Sequence, residues 1–184
     1  MAETEDLQQI ILGCGRNDRA SQEKLYKQFY VSLFSLCRRF FSNTDDALEV
    51  LNDGMLKVFE KIGSYQEEKG RLFTWVYTIV RNTAIDKFRK DVPVPGTDPA
   101  GLEETLAEEG TYGNPARGLE EMDLVTLFEG LSPASRGIAT LFYLEGYKIR
   151  EIAETLGIST GTVKWHLNDS RKKLKPIFEK YIGQ

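Results

Sequence analysis

Apolar side chains recur three or four positions apart along nearly the whole chain, and no segment shows the regular alternation of a half-buried β-strand. In the first half, glycine, serine and asparagine interrupt this spacing at positions where helices usually end or begin. The pattern predicts a short helix ending at Gly13 or Gly15, a second capped by Ser21, a third beginning at Asn43 or Thr44, and a fourth over residues 72–90. The predicted fold class is all-α.

The same spacing selects the side chains that each helix turns inward. On the second helix these are Leu25, Phe29, Leu33, Leu36 and Phe40. On the third they are Ala47, Val50, Leu51, Leu56, Val58, Phe59 and Ile62. On the fourth they are Phe73, Val76 or Tyr77, Val80 and Ala84. These faces predict a helical domain over residues 1–90.

Composition changes abruptly after Lys90. Residues 91–118 contain four of the six prolines and five glycines, which resist a continuous helix and are typical of an extended linker. Apolar periodicity returns near Leu119. The chain is therefore predicted to hold two small helical domains, residues 1–90 and 119–184, joined by a flexible acidic linker over residues 91–118.

The second domain has the spacing of a helix-turn-helix. Residues 149–163 read IREIAETLGISTGTV, in which Ala153 lets two helices cross closely, Gly157 supplies a left-handed turn and Ser159 caps the next helix. The side chains predicted to face outward on that last helix are Thr160, Thr162, Lys164, Trp165, His166, Asn168 and Arg171, with Lys172 extending the basic surface. Such donor-rich side chains suit phosphates and base edges, which predicts a DNA-reading helix. The alternative for this segment is an ordinary helical hairpin with a solvated basic face. For Trp165 alone, packing into the core of the domain is as well supported as facing DNA.

Net charge is −4, which at first argues against a nucleic-acid partner. The charges are segregated, however. Residues 61–90 carry seven basic and three acidic side chains, residues 91–133 carry one and ten, and residues 134–184 carry nine and five. Two basic segments therefore flank an acidic one, and the overall charge predicts that the isolated chain binds DNA weakly.

Other classes of function lack the residues they need. Cys14 and Cys37 lie 23 positions apart and form no C-x-x-C pair, so we expect reduced cytosolic thiols and neither a disulfide nor a zinc site. One histidine and no recognisable catalytic cluster argue against a nucleic-acid enzyme such as a recombinase. The longest stretch without a charged residue, Gln28 to Cys37, is ten residues and too short to span a bilayer. We predict no catalytic residue, metal, cofactor or stable membrane insertion.

The fourth helix interleaves basic and aromatic side chains over residues 73–90, FTWVYTIVRNTAIDKFRK. Aromatic rings offer stacking platforms for unpaired bases while cations follow the phosphates, although aromatics at helical spacing are also ordinary core residues. We expect Trp75 to belong to the core.

Three motifs together resemble the small two-domain, extracytoplasmic-function sigma factors of bacterial RNA polymerase. ALEVLNDGML over residues 47–56 is similar to the family's A-E-D-L-V-Q-E-T-F-L pattern, and residues 73–90 follow its W-L-x-x-I-A-x-N-x-x-x-D-x-x-R-K run. Residues 151–164, EIAETLGISTGTVK, match the second-domain pattern almost letter for letter. The recognition helix departs from the family at Trp165, where serine is common, and at His166 and Asp169, where arginines are common.

The resemblance implies a transcription initiation factor in the cytoplasm whose partners are core RNA polymerase, promoter DNA and an anti-sigma factor. Polymerase would be contacted by Glu49, Asn52, Asp53 and Lys57. The minus-ten element would be recognised and opened by Tyr65, Arg71, Arg81, Asn82, Lys87 and Arg89. The helix-turn-helix would read the minus-thirty-five element. The alternative is a stand-alone helix-turn-helix regulator that binds duplex DNA as a dimer.

Overall fold

The computed structural model describes residues 2–94 and 127–182, with side chains over residues 7–94 and 127–176. Within these ranges the chain is helical and contains no strand. We number the helices α1 (Ala2–Gly15), α2 (Arg19–Phe40), α3 (Thr44–Lys61), α4 (Leu72–Asp91), α5 (Pro133–Ala139), α6 (Ile149–Leu156) and α7 (Thr160–Ile182). A π-helical turn, Thr140–Leu144, follows α5, and two short 3-10 turns, Ile62–Ser64 and Glu67–Lys69, lie between α3 and α4.

Two compact units divide the chain. The first comprises Met1–Arg38 with Asn43–Lys87, and the second comprises Arg39–Ser42 with Phe88–Gln184. Most of the predicted linker and the expected start of the second domain near Leu119 lie outside the described residues. The boundaries at residues 90 and 119 therefore stay predictions.

The core of the first unit is built from α2, α3 and α4, largely by the side chains that helical spacing selects. Fully or almost fully buried are Leu25, Leu33, Leu36, Val50, Leu51, Val58, Val76, Val80 and Ala84. Two expectations were wrong. Leu56 is 58% exposed because the inward side of α3 passes through Gly54 and Met55 instead, and Phe73 lies 36% exposed at the start of α4.

Local hydrogen bonds explain where the helices begin. The side chain of Asn43 accepts from the backbone N–H groups of Asp45 (2.7 Å) and Asp46 (3.3 Å), as expected for the cap of α3. Helix α2 differs from the prediction, since Ser21 is already inside it. The carboxylate of Asp18 caps this helix by accepting from the Ser21 backbone N–H at 2.9 Å.

The second unit contains the predicted helix-turn-helix, formed by α6, a short turn and α7. Ser132 and Pro133 open α5 as expected, since the Ser132 hydroxyl accepts from the Ser135 backbone N–H at 3.3 Å. Helix α5 packs against α7, as does α6. Between α6 and α7, Gly157 adopts φ 68° and ψ 35°, the left-handed conformation that its position in the motif predicts.

We expect Gly157→Ala to lower the free energy of unfolding by about 1 kcal/mol, because a β-carbon is strained in the left-handed region. Nothing lies within 4 Å of a β-carbon built at this position, so the cost comes from the backbone alone. Thermal unfolding followed by circular dichroism measures it. Gly130→Ala is the matched control, since that site is equally open and lacks a left-handed φ. Equal effects of the two substitutions would contradict the assignment.

Candidate nucleic-acid interface

One side of helix α7 is buried. Its inward side chains are spaced three and four residues apart, with neighbouring pairs at the start of the helix: Thr162, Val163, His166, Leu167, Ser170 and Leu174. Each is at most 3% exposed. This stripe, rather than the polarity of individual residues, decides which side chains of α7 face away from the unit.

Two predicted DNA contacts belong to the buried stripe, so their expected outward orientation was wrong. Thr162 is 2% exposed, its backbone N–H donates to the Ser159 hydroxyl at 3.0 Å, and the two hydroxyls lie 2.9 Å apart. It thus completes the cap of α7. His166 is also 2% exposed, with Nδ1 3.0 Å from the hydroxyl of Ser135. The apolar anchors Val163 and Leu167 force both residues to the inner side.

The other predicted residues of α7 are accessible. Thr160 and Lys172 are exposed, and Lys164, Asn168 and Arg171 are half-buried. Four of these, Thr160, Lys164, Asn168 and Lys172, follow one another at intervals of four, so they line one side of the helix. Trp165 is 38% exposed, and its ring meets His166 edge-on at 4.8 Å between centroids. We call this surface, Thr160, Lys164, Trp165, Asn168, Arg171 and Lys172, the reading face.

Helix α4 distributes its predicted DNA contacts over more than one side. Asn82 and Arg89 are exposed and lie seven residues apart, hence on the same side of the helix. Arg81 is half-buried. Lys87 points instead to α3, where its ammonium lies 2.9 Å from Oε1 of Glu49. Arg71 is exposed just before the helix begins.

The loop before α4 is held by Tyr65. Its hydroxyl donates to the Gly70 carbonyl at 2.9 Å, and its ring centroid lies 5.8 Å from that of Trp75. Burial, with a smaller contribution from Glu67 and Glu68, raises the pKa of the Tyr65 phenol, which stays protonated and able to donate. Trp75, expected in the core, is half-buried beside this ring.

Helix α3 presents Glu49, Asn52 and Asp53 as exposed side chains, whereas Lys57 is half-buried. The Tyr26 hydroxyl donates to Oδ1 of Asn52 at 3.0 Å, and the Lys57 ammonium donates to the Thr83 hydroxyl at 3.2 Å. Leu56, 58% exposed, shares the outward side with them. Leu56 follows Asp53, Asn52 and Glu49 by three, four and seven positions, and this helical spacing was the sequence signal that could have placed it on the same outward side. We call Glu49, Asn52, Asp53 and Leu56 the docking face.

No other chemistry is evident among the described residues. Both cysteines are buried, burial raises the pKa of Cys14, and it raises that of Cys37 to about 12, so neither forms a reactive thiolate readily. No group of histidine, cysteine or carboxylate side chains within the described ranges could hold a metal ion. Among the helices described, none is long and apolar enough to cross a membrane.

Comparison with known proteins matches both halves of the chain. Residues 25–92 match the family described as Sigma-70 region 2, and residues 121–174 match Sigma-70, region 4. The chain is 25% identical over 154 residues to the ECF RNA polymerase sigma factor SigW of Bacillus subtilis (strain 168), covering 78% of this chain and 81% of that one. RNA polymerase sigma factor YlaC of the same organism is 27% identical over 164 residues, covering 85% and 91%.

Among solved structures, the sigma factor RpoE of Bartonella quintana, in complex with the anti-sigma factor NepR, is similar with a TM-score of 0.44 and 22% identity. That similarity covers 85% of this chain and 96% of the other. The family assignment rests on the sequence matches and not on this structural similarity.

The chain therefore belongs to the sigma-70 family, as an extracytoplasmic-function sigma factor with the two core regions. Sigma factors of this kind bind core RNA polymerase and direct it to promoters, and they are initiation factors without an enzymatic reaction of their own. A stand-alone helix-turn-helix regulator would account only for the second half of the chain, so that alternative is not favoured.

We expect Tyr65→Phe to loosen the loop before α4, because it removes the hydroxyl that donates to Gly70. Losing one such hydrogen bond costs about 1 kcal/mol, which corresponds to roughly fivefold faster amide exchange across residues 64–71. Hydrogen-exchange mass spectrometry measures this. Tyr30→Phe is the control, since it removes the same hydroxyl from a ring that stacks on Phe34 within α2. Unchanged exchange in the loop would show that the bond does not order it.

Proposed function

We propose that this sigma factor divides its work among three surfaces: the docking face binds core polymerase, the loop and outer side of α4 open the minus-ten element, and the reading face recognises the minus-thirty-five element. The observation that carries the proposal is the separation of α7 into a buried stripe and an accessible basic side. Lys164, Arg171 and Lys172 place three cations on that side, where they can follow phosphates.

The docking face is suited to a protein partner. Glu49 and Asp53 bring two carboxylates beside the exposed Leu56. Protein interfaces combine such groups, because charges raise the rate of association and apolar side chains are buried at the centre of the contact. Because Glu49 is 57% exposed, its ion pair with Lys87 contributes little to stability and leaves it accessible to polymerase.

Contacts between α3 and α4 connect docking to DNA opening. Lys87 reaches Glu49 at 2.9 Å, and Lys57 reaches Thr83 at 3.2 Å. The close approach of the two helices at Gly54 and Val80, where a β-carbon on Gly54 would lie 3.0 Å from Val80 Cγ2, holds α4 in a fixed position relative to the docking face. A polymerase bound to α3 would therefore present α4 to the minus-ten element in one orientation.

Opening the minus-ten element requires bases to leave the stack, at a few kcal/mol each, and groups that hold them outside it. Asn82 and Arg89 share the accessible side of α4, and Arg71 is exposed at the end of the loop that Tyr65 holds. An amide, two guanidinium groups and the Tyr65–Trp75 pair can contact both the edges and the phosphates of an open strand. Lys87 can contact the open strand together with these groups only if its ion pair with Glu49 is broken.

A cellular location and one further partner follow from membership of the extracytoplasmic-function group. We infer that the protein works in the cytoplasm, where RNA polymerase acts, and that an anti-sigma protein holds it inactive until a signal arrives. The linker joins the two DNA-reading units so that binding by one raises the effective concentration of the other.

Reconstitution with core RNA polymerase tests the proposed function. The full chain and core enzyme are incubated with a randomised promoter library, and transcription start sites are mapped. We expect a stable holoenzyme that initiates at promoters sharing two separated elements. Failure to bind core enzyme, or binding of the isolated chain to duplex DNA as a dimer, would refute it.

We expect Asp53→Lys to weaken holoenzyme formation about tenfold, because it reverses a charge at the centre of the docking face. Affinity is measured by titrating fluorescently labelled sigma factor with core polymerase. Glu23→Lys, which reverses another exposed carboxylate, on α2, is the control and should bind like the wild type. If both reversals weaken binding equally, the effect is one of net charge and the docking face is misplaced.

A further inference from the structure

Three polar side chains from two helices meet inside the second unit. The Ser135 hydroxyl, on α5, lies 3.0 Å from Nδ1 of His166 and 3.0 Å from Oδ2 of Asp169, both on α7. Ser135 is fully buried and His166 is 2% exposed. The two residues of α7 are separated by less than one helical turn, so both can reach the same side chain of α5. His166 and Asp169 are thus joined to each other through one serine.

The single hydrogen of the serine hydroxyl determines how these groups are connected. Ionised Asp169 can only accept, so the Ser135 hydroxyl donates to it. The same hydroxyl oxygen is then left to accept from His166, which requires a hydrogen on Nδ1 of the ring. His166 therefore carries a hydrogen on Nδ1, a requirement that the neutral Nδ1–H tautomer and the doubly protonated imidazolium both meet. Whether Nε2 is bare depends on its own surroundings.

The surroundings of Nε2 favour the neutral tautomer. This nitrogen is buried and has no hydrogen-bond partner among the residues whose side chains the structure describes. Protonation would add an N–H group at that point, and a buried donor without an acceptor is costly. The ring is thus able to donate through Nδ1 but poorly able to take up a second proton.

Charged neighbours do not reverse this preference. Burial lowers the pKa of His166, the nearby Asp169 carboxylate raises it, and Lys173 lowers it. Lys173 lies 3.0 Å from the same carboxylate oxygen that Ser135 contacts, so it offsets part of the negative charge. Arg136, the charged residue of α5, donates instead to the backbone carbonyls of Phe128 and Glu129. The pKa of the His166 imidazole is therefore lower in the folded protein than in the unfolded chain.

We propose that Ser135, His166 and Asp169 are positioning residues for promoter recognition: they fasten α7 to α5 and fix the rotation at which the reading face meets DNA. The inference rests on the proposed role of α7 and adds to it a set of residues that do not touch DNA. Lys164 and Asn168 lie two positions to either side of His166, so a rotation of the helix at this point displaces both.

One consequence is a loss of stability in mild acid. As the pH falls below about 6.5, the unfolded chain binds a proton at His166 while the folded chain does not. The unfolded state is then favoured by proton binding, so stability decreases as the pH decreases over this range. Above it the imidazole is neutral in both states and contributes no pH dependence.

Nuclear magnetic resonance tests the hydrogen assignment directly, because His166 is the only histidine in the chain. In the ¹⁵N-labelled full chain at pH 7.5, long-range ¹H–¹⁵N correlations should show a protonated Nδ1 and an unprotonated Nε2. The titration midpoint should fall below 6.5. A hydrogen on Nε2, or a midpoint at or above that of free histidine, would overturn the proposal. Neither result depends on whether the protein binds polymerase.

Substitutions test the positioning role in holoenzyme, using a promoter duplex selected by the wild-type holoenzyme from a randomised pool. His166→Asn keeps a nitrogen donor near the position of Nδ1 and should retain affinity within about twofold, whereas His166→Gln and Ser135→Ala should lose about fivefold to tenfold. Thr155→Ala, which removes a half-buried hydroxyl from α6, is the control and should have no effect.

Core-polymerase affinity and circular dichroism at 25 °C separate positioning from unfolding. We expect all four variants to remain folded and to bind core enzyme like the wild type, since docking is proposed for α3. Loss of affinity in His166→Asn equal to that in His166→Gln would overturn the proposal. So would a Ser135→Ala variant with unchanged promoter affinity. Failure of the wild type itself to form holoenzyme would refute the proposed function while leaving the resonance result intact.

Discussion

Helix α7 packs on α5 and α6 through side chains spaced three and four residues apart, and this contact determines which side chains remain for DNA. Val163, Leu167 and Leu174 are the apolar anchors, each at most 3% exposed. Because the helix turns through a fixed angle per residue, these anchors fix the direction of every side chain between them. Lys164 and Asn168 are directed outward as a result, while Thr162 and His166 are directed inward despite their polarity.

The buried stripe is itself partly polar, and its hydrogen bonds link α7 to neighbouring segments. The Ser135 hydroxyl of α5 lies 3.0 Å from both His166 Nδ1 and Asp169 Oδ2, and the Ser170 hydroxyl lies 3.3 Å from the Ser135 carbonyl. An apolar contact of the same size would tolerate small rotations of the helix, whereas each hydrogen bond is satisfied at only one rotation. Polar burial thus defines the orientation of the reading face more narrowly than hydrophobic packing alone.

Sequence reasoning predicted the features that depend on local chemistry. Asn43 as a cap and Gly157 as a left-handed turn follow from a few adjacent residues, and both are confirmed. The orientation of α7 was mistaken at two positions because polar residues were assumed to face water. Nothing local reveals that His166 has a partner in Ser135, 31 positions earlier in the chain. Leu56 was misplaced for the related reason that an apolar residue was assumed to be buried.

Hydroxyl-radical footprinting by mass spectrometry tests the central claim that α3 and α7 present separate binding surfaces. Three samples are compared: the free chain, the holoenzyme, and the holoenzyme on a selected promoter. We expect Leu56 to become protected when core polymerase is added, and Trp165 to become protected from its partly exposed state when promoter DNA is added. If Trp165 reacts equally in the holoenzyme with and without promoter, the outer side of α7 is not the surface that reads DNA.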